Sequence, residues 1–438
     1  MSHCRQVPAG SPLRLTKRLS DFVFPEGRIS ASRLAFWGLV FAVGLFLRHP
    51  GALLMAQFWG EDAWVWYPQA YEQGLTSLLN PETGYFQTFP RLIGLVAQVL
   101  PFHLAPTLFA AVAFLVEIAP PLFLLSERLD RVWPDRLSRL LFGLFYIALP
   151  NSYEVQVNLT NSQWHLAILA FLVLQSTPAR GWRGRAFDCA ALLLSGLTGP
   201  FCVFLFPVAL LRFFVLRDQV RLMRLALVSI CVAFQAIIYL QAAHQRVGTE
   251  LGASVMTGMR IIALNIGIGL LFGQHAAADV VGSQLWWLHR SPAVLICVLL
   301  AAVLVYACRR GPSMFREALL ASGLTFAAAL AHPQVSVDQP QWHIMQYSGW
   351  SDRYYIFAML TLLGAFFILA NATRRPVRAV GVAALVFVMG ACVRDWHFPF
   401  FPMSDFYTKA AEFEHAPAGT VITYGIQPSP MTAQIHKR

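Results

Sequence analysis

Apolar runs recur along the whole chain and are separated by short polar turns. A helix that crosses the hydrocarbon core of a bilayer needs roughly 20 mostly apolar residues. We predict a membrane helix at each of eleven runs, several of them short: 34–55, 103–125, 139–152, 163–177, 187–199, 200–216, 222–242, 291–308, 313–331, 354–371 and 377–392. The pattern predicts an all-α polytopic membrane protein.

Basic residues are concentrated in every second turn between these runs. Six segments hold 23 of the 33 Lys and Arg residues: 1–33, 126–139, 178–186, 212–224, 309–316 and 372–378. The opposite turns carry thirteen of the 22 acids. Because Lys and Arg are enriched on the cytoplasmic side of membrane proteins, this asymmetry predicts an N-in/C-out chain. Segment 1–33 is then a cytoplasmic basic segment, 34–392 the transmembrane domain and 393–438 an outer-face C-terminal segment.

Two stretches admit more than one path through the membrane. The run 187–216 is interrupted by the sequence SGLTGP at 195–200, so it forms either two short helices or a re-entrant hairpin. Segment 243–290 must begin and end outside, with 261–272 as a dipping or surface segment that protein or a wet cavity covers. The C-terminal segment, with a helix predicted at Asp405–His415 and a strand at Thr420–Gly425, is expected to cap the membrane domain.

Composition narrows the class of protein. Hydrophobic residues make up 57% of the 438 positions and charged residues 13%, and the apolar runs are spread along the chain, which excludes a soluble domain on one anchor. The net charge of +11 does not indicate a nucleic-acid partner, because most basic residues lie in short turns between apolar runs. The seven cysteines show no CxxC spacing and are expected in the core. No nucleotide-binding or hydrolase motif occurs in a credible context.

The first outer loop, 56–102, is long for a connection within a helix bundle, and long ordered loops tend to be functional. Pro68 and Pro90 are typical of the first turns of helices lying along the membrane surface. Glu61 and Asp62 stand among aromatic residues at the exit of the first span. Burial and mutual repulsion would raise a carboxyl pKa there and make a base or a metal ligand. The alternative is a solvated turn or a helix N-cap.

A second outer segment, 150–165, carries a dense set of polar side chains at the mouth of two spans: Glu154, Asn158, Asn161, Gln163, Trp164 and His165. Amides beside an indole or imidazole ring can hydrogen-bond to a sugar and stack on it. The same residues also suit helix caps and an interfacial belt.

Two arginines, Arg91 and Arg353, lie on the outer face despite the positive-inside bias. A guanidinium at the interface can clamp a phosphate diester, or it can snorkel to hold a helix end. Asp352 could simply pair with Arg353. Glu117 lies inside the second span, where an acid is either functional or a protonated core group.

The acidic pair after the first span, followed by surface helices in an N-in multispanning chain, resembles the GT-C superfold of polyprenyl-phosphate-sugar-dependent glycosyltransferases. The chain is also similar to a group of bacterial multi-spanning proteins suspected of glycosyl transfer. That similarity lies in Glu61-Asp62, Gly84-Tyr85, Pro90-Arg91, Glu154, Asn158, Asn161, Gln163-Trp164, Gly199-Pro200 and Arg353-Tyr354.

The resemblance implies inverting transfer of a sugar, on the outer face of a bacterial inner membrane, from a polyprenyl-phosphate-linked donor to an acceptor hydroxyl of a glycan or lipid. Glu61 or Asp62 would be the base, and Arg91 and Arg353 would bind the donor phosphate. Tyr85 and Tyr354 would join the polar residues of 150–165 in binding substrate. A divalent metal, Mg or Mn, could take part. The rival functions are a transporter or flippase of a lipid-linked saccharide or small solute, and an O-antigen-type polymerase or ligase.

Overall fold

The computed structural model describes residues 29–242, 248–349 and 351–438, and most of them are helical. Most of the predicted cytoplasmic segment 1–33 lies outside the described residues. The first ten helices are α1 (Ala31–Arg48), α2 (Pro50–Leu54), α3 (Tyr67–Gln73), α4 (Thr88–Ala97), α5 (Ala105–Leu124), α6 (Arg136–Ile147), α7 (Ser162–Gln175), α8 (Trp182–Gly196), α9 (Phe201–Leu216) and α10 (Gln219–Ala242).

The remaining helices are α11 (Val255–Ile261), α12 (Gly269–Gly282), α13 (Gln284–Leu288), α14 (Ser291–Arg310), α15 (Ser313–Ala331), α16 (Gln341–Met345), α17 (Ile356–Ala370), α18 (Arg375–Arg394) and α19 (Phe406–His415). Two π-helical segments, Asp62–Trp66 and Ile262–Ile268, lead into α3 and α12. Strands β1 (Val421–Gly425) and β2 (Thr432–His436) form an antiparallel hairpin.

Seven helical segments of the described chain are long and apolar enough to cross a membrane: Ala31–Arg48, Phe102–Leu124, Gln219–Ala242, Val255–Gly282, Ser291–Arg310, Ser313–Ala331 and Arg375–Arg394. The prediction of a helical, multi-pass membrane protein is therefore confirmed. Each of the eleven predicted runs overlaps a helix. However, α6, α7, α8, α9 and α17 have only 12 to 16 residues. At 1.5 Å per residue these helices are about 18 to 24 Å long, shorter than a hydrocarbon core of about 30 Å.

Buried ion pairs tie the helices together at one end of the bundle, which we call the arginine end. Arg128 donates to both oxygens of Asp188 at 2.8 and 2.6 Å, and Arg224 donates to Asp188 Oδ2 at 2.7 Å. Both guanidiniums also bond to Ser176 at the end of α7. Since burying a charge without a partner is costly, these contacts fix the relative positions of α7, α8 and α10.

The opposite end of the bundle, the cap end, carries the C-terminal segment. Helix α19 and the hairpin pack on an aromatic cluster that includes Phe58, Phe102 and Phe109. The predicted helix at Asp405–His415 and the predicted strand at Thr420–Gly425 each match an observed element within one residue. Strand β2 was not predicted from the sequence, because a single short strand is recognised only once the strand that pairs with it is known.

The segment Val255–Gly282 is one of the seven long apolar segments, but it is broken at Gly273. Gly273 adopts φ 86°, and a Cβ there would lie 2.6 Å from Asp395 Oδ2, so only glycine fits. Thr249, before the segment, bonds to Ser336, and Gln274 N–H bonds to Asp395. These contacts hold the beginning of the segment and the break at the cap end.

We expect Asp188→Asn to lower the free energy of unfolding by about 3–5 kcal/mol, because two buried arginines would lose their counter-charge. The matched control is Asp218→Asn, which removes a pair with Arg221 whose carboxylate is 41% exposed. Such a surface pair contributes about 0–1 kcal/mol. Denaturant unfolding of the purified full chain in detergent measures both. Equal losses in the two variants would contradict the structural role of Asp188.

Candidate functional site

A cavity of about 440 Å³ opens at the cap end, within the size range of small-molecule sites. It lies between the loop after α2, the turn before α7, and helices α9, α10 and α15. Its polar wall includes Glu61, Glu82, Tyr85, Gln87, Glu154, Thr160, Asn161, Gln163, Gln235, Gln334 and Arg353. Its aromatic floor includes Trp59, Trp66, Trp164, Phe201 and Tyr354.

The same cavity extends into an apolar arm between helices. The arm is lined by Val203, Phe204, Ala236, Tyr239, Ala328 and Ala329. Val203 and Tyr239 are exposed at its edge, and Phe234, Ile237 and Leu240 on α10 are exposed beside them. Exposed apolar side chains on a membrane helix face lipid. The cavity therefore joins a polar chamber to an opening toward the bilayer, which is the shape that an amphiphilic ligand requires.

Glu61 reaches the cavity because the far end of the chain holds the residues before it. Gln427 donates its backbone N–H to Phe58 O and accepts from Gly60 N–H, each at 2.8 Å. Gly60 turns the chain with φ 44°. The Glu61 carboxylate is half-buried and forms no hydrogen bond or ion pair with any described residue. This carboxylate is consequently available to a ligand.

Asp62, the other acid of the pair, does not line the cavity. Its side chain is 2% exposed and its Oδ1 accepts from Thr160 N–H at 3.1 Å and from Thr160 Oγ1 at 2.8 Å. Burial raises the pKa of Asp62 to about 7. Trp66 Nε1 donates to the same hydroxyl at 2.9 Å. Asp62 therefore lies behind the wall and anchors the wall residue Thr160, which precedes Asn161.

Arg353 lines the cavity, but it already has a partner. Its guanidinium forms an ion pair with Glu154, its backbone N–H donates to Glu154 Oε2 at 3.1 Å, and its Nη2 donates to Gln334 O at 2.5 Å. The guanidinium also lies 4.6 Å from the centre of the Tyr354 ring. A ligand phosphate could thus approach an arginine that is held rigidly in place.

Arg91 lies behind the wall. It is 1% exposed, stacks 5.1 Å from the Trp66 ring and donates to Gln69 Oε1 at 2.7 Å. Its Nε and Nη2 have no hydrogen-bond partner in the part of the chain that the structure describes. Burial lowers the pKa of Arg91 to about 10 and raises the pKa of Glu82.

Two further predicted residues, Asn158 and His165, shape the wall from behind. Asn158 donates to Glu154 O at 2.7 Å, and Asn161, which does line the cavity, donates to the same oxygen at 2.8 Å. His165 Nε2 lies 2.8 Å from Val155 O and Nδ1 contacts the Tyr146 hydroxyl. The cavity thus brings together eight predicted residues: Glu61, Tyr85, Glu154, Asn161, Gln163, Trp164, Arg353 and Tyr354. Asp62, Arg91, Asn158 and His165 lie outside its lining.

Gln235 was missed by sequence reasoning, although it lies inside an otherwise apolar span. It accepts from Phe86 N–H at 2.9 Å and donates to Gly196 O and Gly199 O at 3.2 and 3.1 Å. It therefore ties the first loop to the α8–α9 connection. Gly199, with φ 75°, leaves room for Gln163, since a Cβ there would collide with Gln163 Oε1. The amide side chain within an apolar run was the signal that could have identified Gln235 from the sequence.

The carboxylates of the wall do not form a ready metal site. Within 29–242, 248–349 and 351–438, no three His, Cys, Asp or Glu side chains come close enough together to hold an ion. Any divalent cation here would therefore take most of its ligands from a bound molecule or from water, as Mg²⁺ commonly does.

The raised pKa of Asp62 has a consequence for stability. The folded protein holds this proton up to about pH 7, whereas an unfolded aspartate releases it near pH 3.9. The protonated form therefore favours folding at low pH, and this contribution is lost between about pH 4 and 7.

We expect Asp62→Asn to show a smaller loss of stability over this range than the parent in detergent unfolding. Asp279→Asn, 77% exposed, is the control; parallel curves for parent and Asp62→Asn would contradict the expectation.

No family model matches this chain, and neither the curated proteins nor the solved structures contain a match. The resemblance to the GT-C superfold therefore stays a prediction. What the cavity does is inferred from its own residues.

Proposed function

We propose that the protein is an inverting membrane glycosyltransferase that moves a sugar from a polyprenyl-phosphate carrier to an acceptor hydroxyl. One observation carries the proposal: the half-buried Glu61 carboxylate, which has no hydrogen bond or ion pair within the described residues, lies in a cavity whose apolar arm opens between lipid-facing helices. A lipid-linked donor needs an apolar entrance, and a polar acceptor needs a polar chamber. Both can meet at Glu61.

The proposed topology is N-in/C-out with eleven spans, a GT-C-like order and the cap end outside, in a bacterial plasma membrane. The arginine end then lies in the cytoplasm, in accord with the positive-inside bias. The break at Gly273 supports a dipping segment at 255–282, and the two separate helices α8 and α9 favour two short spans over a re-entrant hairpin. With both features, each later span still crosses the membrane in the direction that the N-in/C-out topology requires.

In the proposed reaction, Glu61 is the general base. The acceptor hydroxyl oxygen attacks the anomeric carbon of the donor as Glu61 takes the hydroxyl proton, and the bond from that carbon to the phosphate oxygen breaks with its electron pair going to the phosphate. Attack opposite the leaving group inverts the anomeric centre. A positioned base contributes about 10²- to 10⁴-fold in rate. The proton on Glu61 then returns to solvent.

Arg353 would stabilise the charge that develops on the leaving phosphate, since fixed cations at such a position need no rearrangement during reaction. Asn161 and Gln163 would bind sugar hydroxyls, with Trp164 and Tyr354 packing on the ring. Arg91 fits a phosphate contact less well, because it lies behind Trp66. A divalent cation, if used, would draw on Glu61, Glu82 and the donor phosphate.

Glu61→Gln is expected to lower transfer of labelled sugar in membranes by about 10²- to 10⁴-fold, with expression unchanged, because it removes the base and retains the shape. Glu72→Gln, in the same loop but outside the cavity lining, is the matched control and should retain the parental rate. Polyprenyl-linked sugars of several types serve as donors.

If the parent transfers sugar and the Glu61→Gln variant does so at a rate within a few-fold of the parental rate, Glu61 is not the general base. A parent that moves the carrier across the membrane without transferring sugar would instead support the transporter.

Arg353→Gln is expected to weaken polyprenyl-phosphate binding by about 1.5–3 kcal/mol through loss of a charge-assisted contact. This substitution also leaves Glu154 without its cation, so the double variant Arg353→Gln/Glu154→Gln separates the two effects. If Arg353 binds phosphate, the double variant stays weak in a direct binding titration. Recovery of parental affinity would mean that Arg353 serves only to pair Glu154.

A further inference from the structure

A second, larger cavity of about 840 Å³ opens at the arginine end, and it shares no lining residue with the first. Helices α5, α6, α7, α14, α15 and α17 enclose it. Its walls are mainly apolar, with Phe142, Phe171, Phe315, Leu360 and Phe367 among them. The volume lies toward the upper end of the range of ligand sites. A space of this size and polarity suits hydrocarbon.

The rim of this cavity is basic. Arg310, at the end of α14, and Arg374, just before α18, both line it and are both exposed. Neither guanidinium forms a hydrogen bond or ion pair with another described residue. Trp133 lies at the same rim, where an amphipathic ring suits the headgroup boundary. The mouth therefore combines two free cations with an interfacial aromatic residue.

The interior of the cavity lacks groups for chemistry. Apart from Trp133 and the two arginines, its polar side chains are hydroxyls and one amide: Ser138, Tyr146, Tyr306, Thr361, Asn371 and Thr373. No carboxylate belongs to its described lining. A ligand there would be held by its charge at the rim and by its apolar part inside, without being transformed. Gly364 borders the space between Phe315 and Phe142. A Cβ at this position would lie 3.7 and 4.0 Å from these rings, in ordinary contact, and a longer side chain would extend into the cavity.

We propose that the cavity at the arginine end binds one anionic phospholipid, with its phosphate between Arg310 and Arg374 and an acyl chain in the apolar interior. Basic pockets between membrane helices recognise such headgroups, and each arginine can make two parallel bonds to a phosphate. The occupant is a bulk membrane lipid and not a sugar donor, because the described lining offers no carboxylate that could act as a base on an acceptor. This site is independent of glycosyl transfer at the cap end.

The bound chain would reach the partition between the two cavities. Phe357 lines the arginine-end cavity, stacks on Phe201 with ring centres 6.0 Å apart, and lies 6.4 Å from Trp164. Phe201 and Trp164 line the first cavity. A lipid chain against Phe357 therefore supports the floor of the polar chamber from below.

Native mass spectrometry of the full-length protein, released from detergent micelles doped with phosphatidylglycerol or phosphatidylcholine, tests the site. The parent should retain one phosphatidylglycerol and much less phosphatidylcholine. Arg310→Gln/Arg374→Gln should weaken phosphatidylglycerol binding roughly ten-fold or more. Arg309→Gln/Arg375→Gln removes two exposed arginines that do not line the cavity and should bind like the parent.

Gly364→Leu should also release the lipid, because the added side chain would occupy the cavity between Phe142 and Phe315. Equal weakening by both arginine pairs would overturn the proposal, since it would mean general attraction to a basic surface. Undiminished binding in Arg310→Gln/Arg374→Gln would overturn it as well. If a polyprenyl phosphate displaced phosphatidylglycerol at one-tenth of the phosphatidylglycerol concentration, the cavity would bind the polyprenyl carrier and not a bulk phospholipid. That result would also overturn the proposal.

Discussion

The need to partner every charge inside the bundle governs this structure. Ionised groups at membrane depth have no water to solvate them, so each must find its counter-charge or a set of carbonyl groups within the chain. Asp188 meets two arginines, and Arg48 donates to the carbonyls of Ile147 and Leu149 at 2.9 and 2.6 Å. Arg353 pairs with Glu154. By contrast, the Glu61 carboxylate at the cavity forms no hydrogen bond or ion pair with any described residue.

The short helices set the depth of the polar chamber. Helices α7, α8 and α9 have their cap-end termini at the chamber, and with 14 to 16 residues they are too short to fill the bilayer thickness. The connection between α8 and α9 can therefore sink below the surface, where Gln235 donates to Gly196 O and Gly199 O. The first loop satisfies two further backbone groups, because Thr88 N–H donates to Leu197 O and Phe86 O accepts from Gly199 N–H. Polar backbone at this depth is possible because protein covers it.

The sequence alone revealed the helices but only part of the site. Apolar runs of sufficient length identify helices because the bilayer imposes that length, and prolines at 68 and 90 correctly indicated α3 and α4. Six of the eight cavity residues came from acidic, amide, indole or arginine side chains in the predicted outer segments, and Tyr85 and Tyr354 came from the resemblance. The sequence could not show whether Asp62 and Arg91 line the cavity or lie behind its wall. The π-helical segment after Glu61 and the packing of Trp66 decide which way these two side chains point. Strand β2 and the bonds of Gln427 to the first loop could not be predicted, since nothing local marks a contact between residues so far apart.

The bonds between Phe58, Gly60 and Gln427 have a consequence for biosynthesis. The Glu61 loop is made early, whereas Gln427, the residue that fixes it, is synthesised 366 residues after Glu61. At about 5–20 residues per second, roughly 20 to 70 s separate the two events. During that time the helices can insert one after another while the chamber has no fixed wall. The site is therefore assembled only after Gln427 has been synthesised, so a chain that stops before Gln427 contains the acid without its geometry.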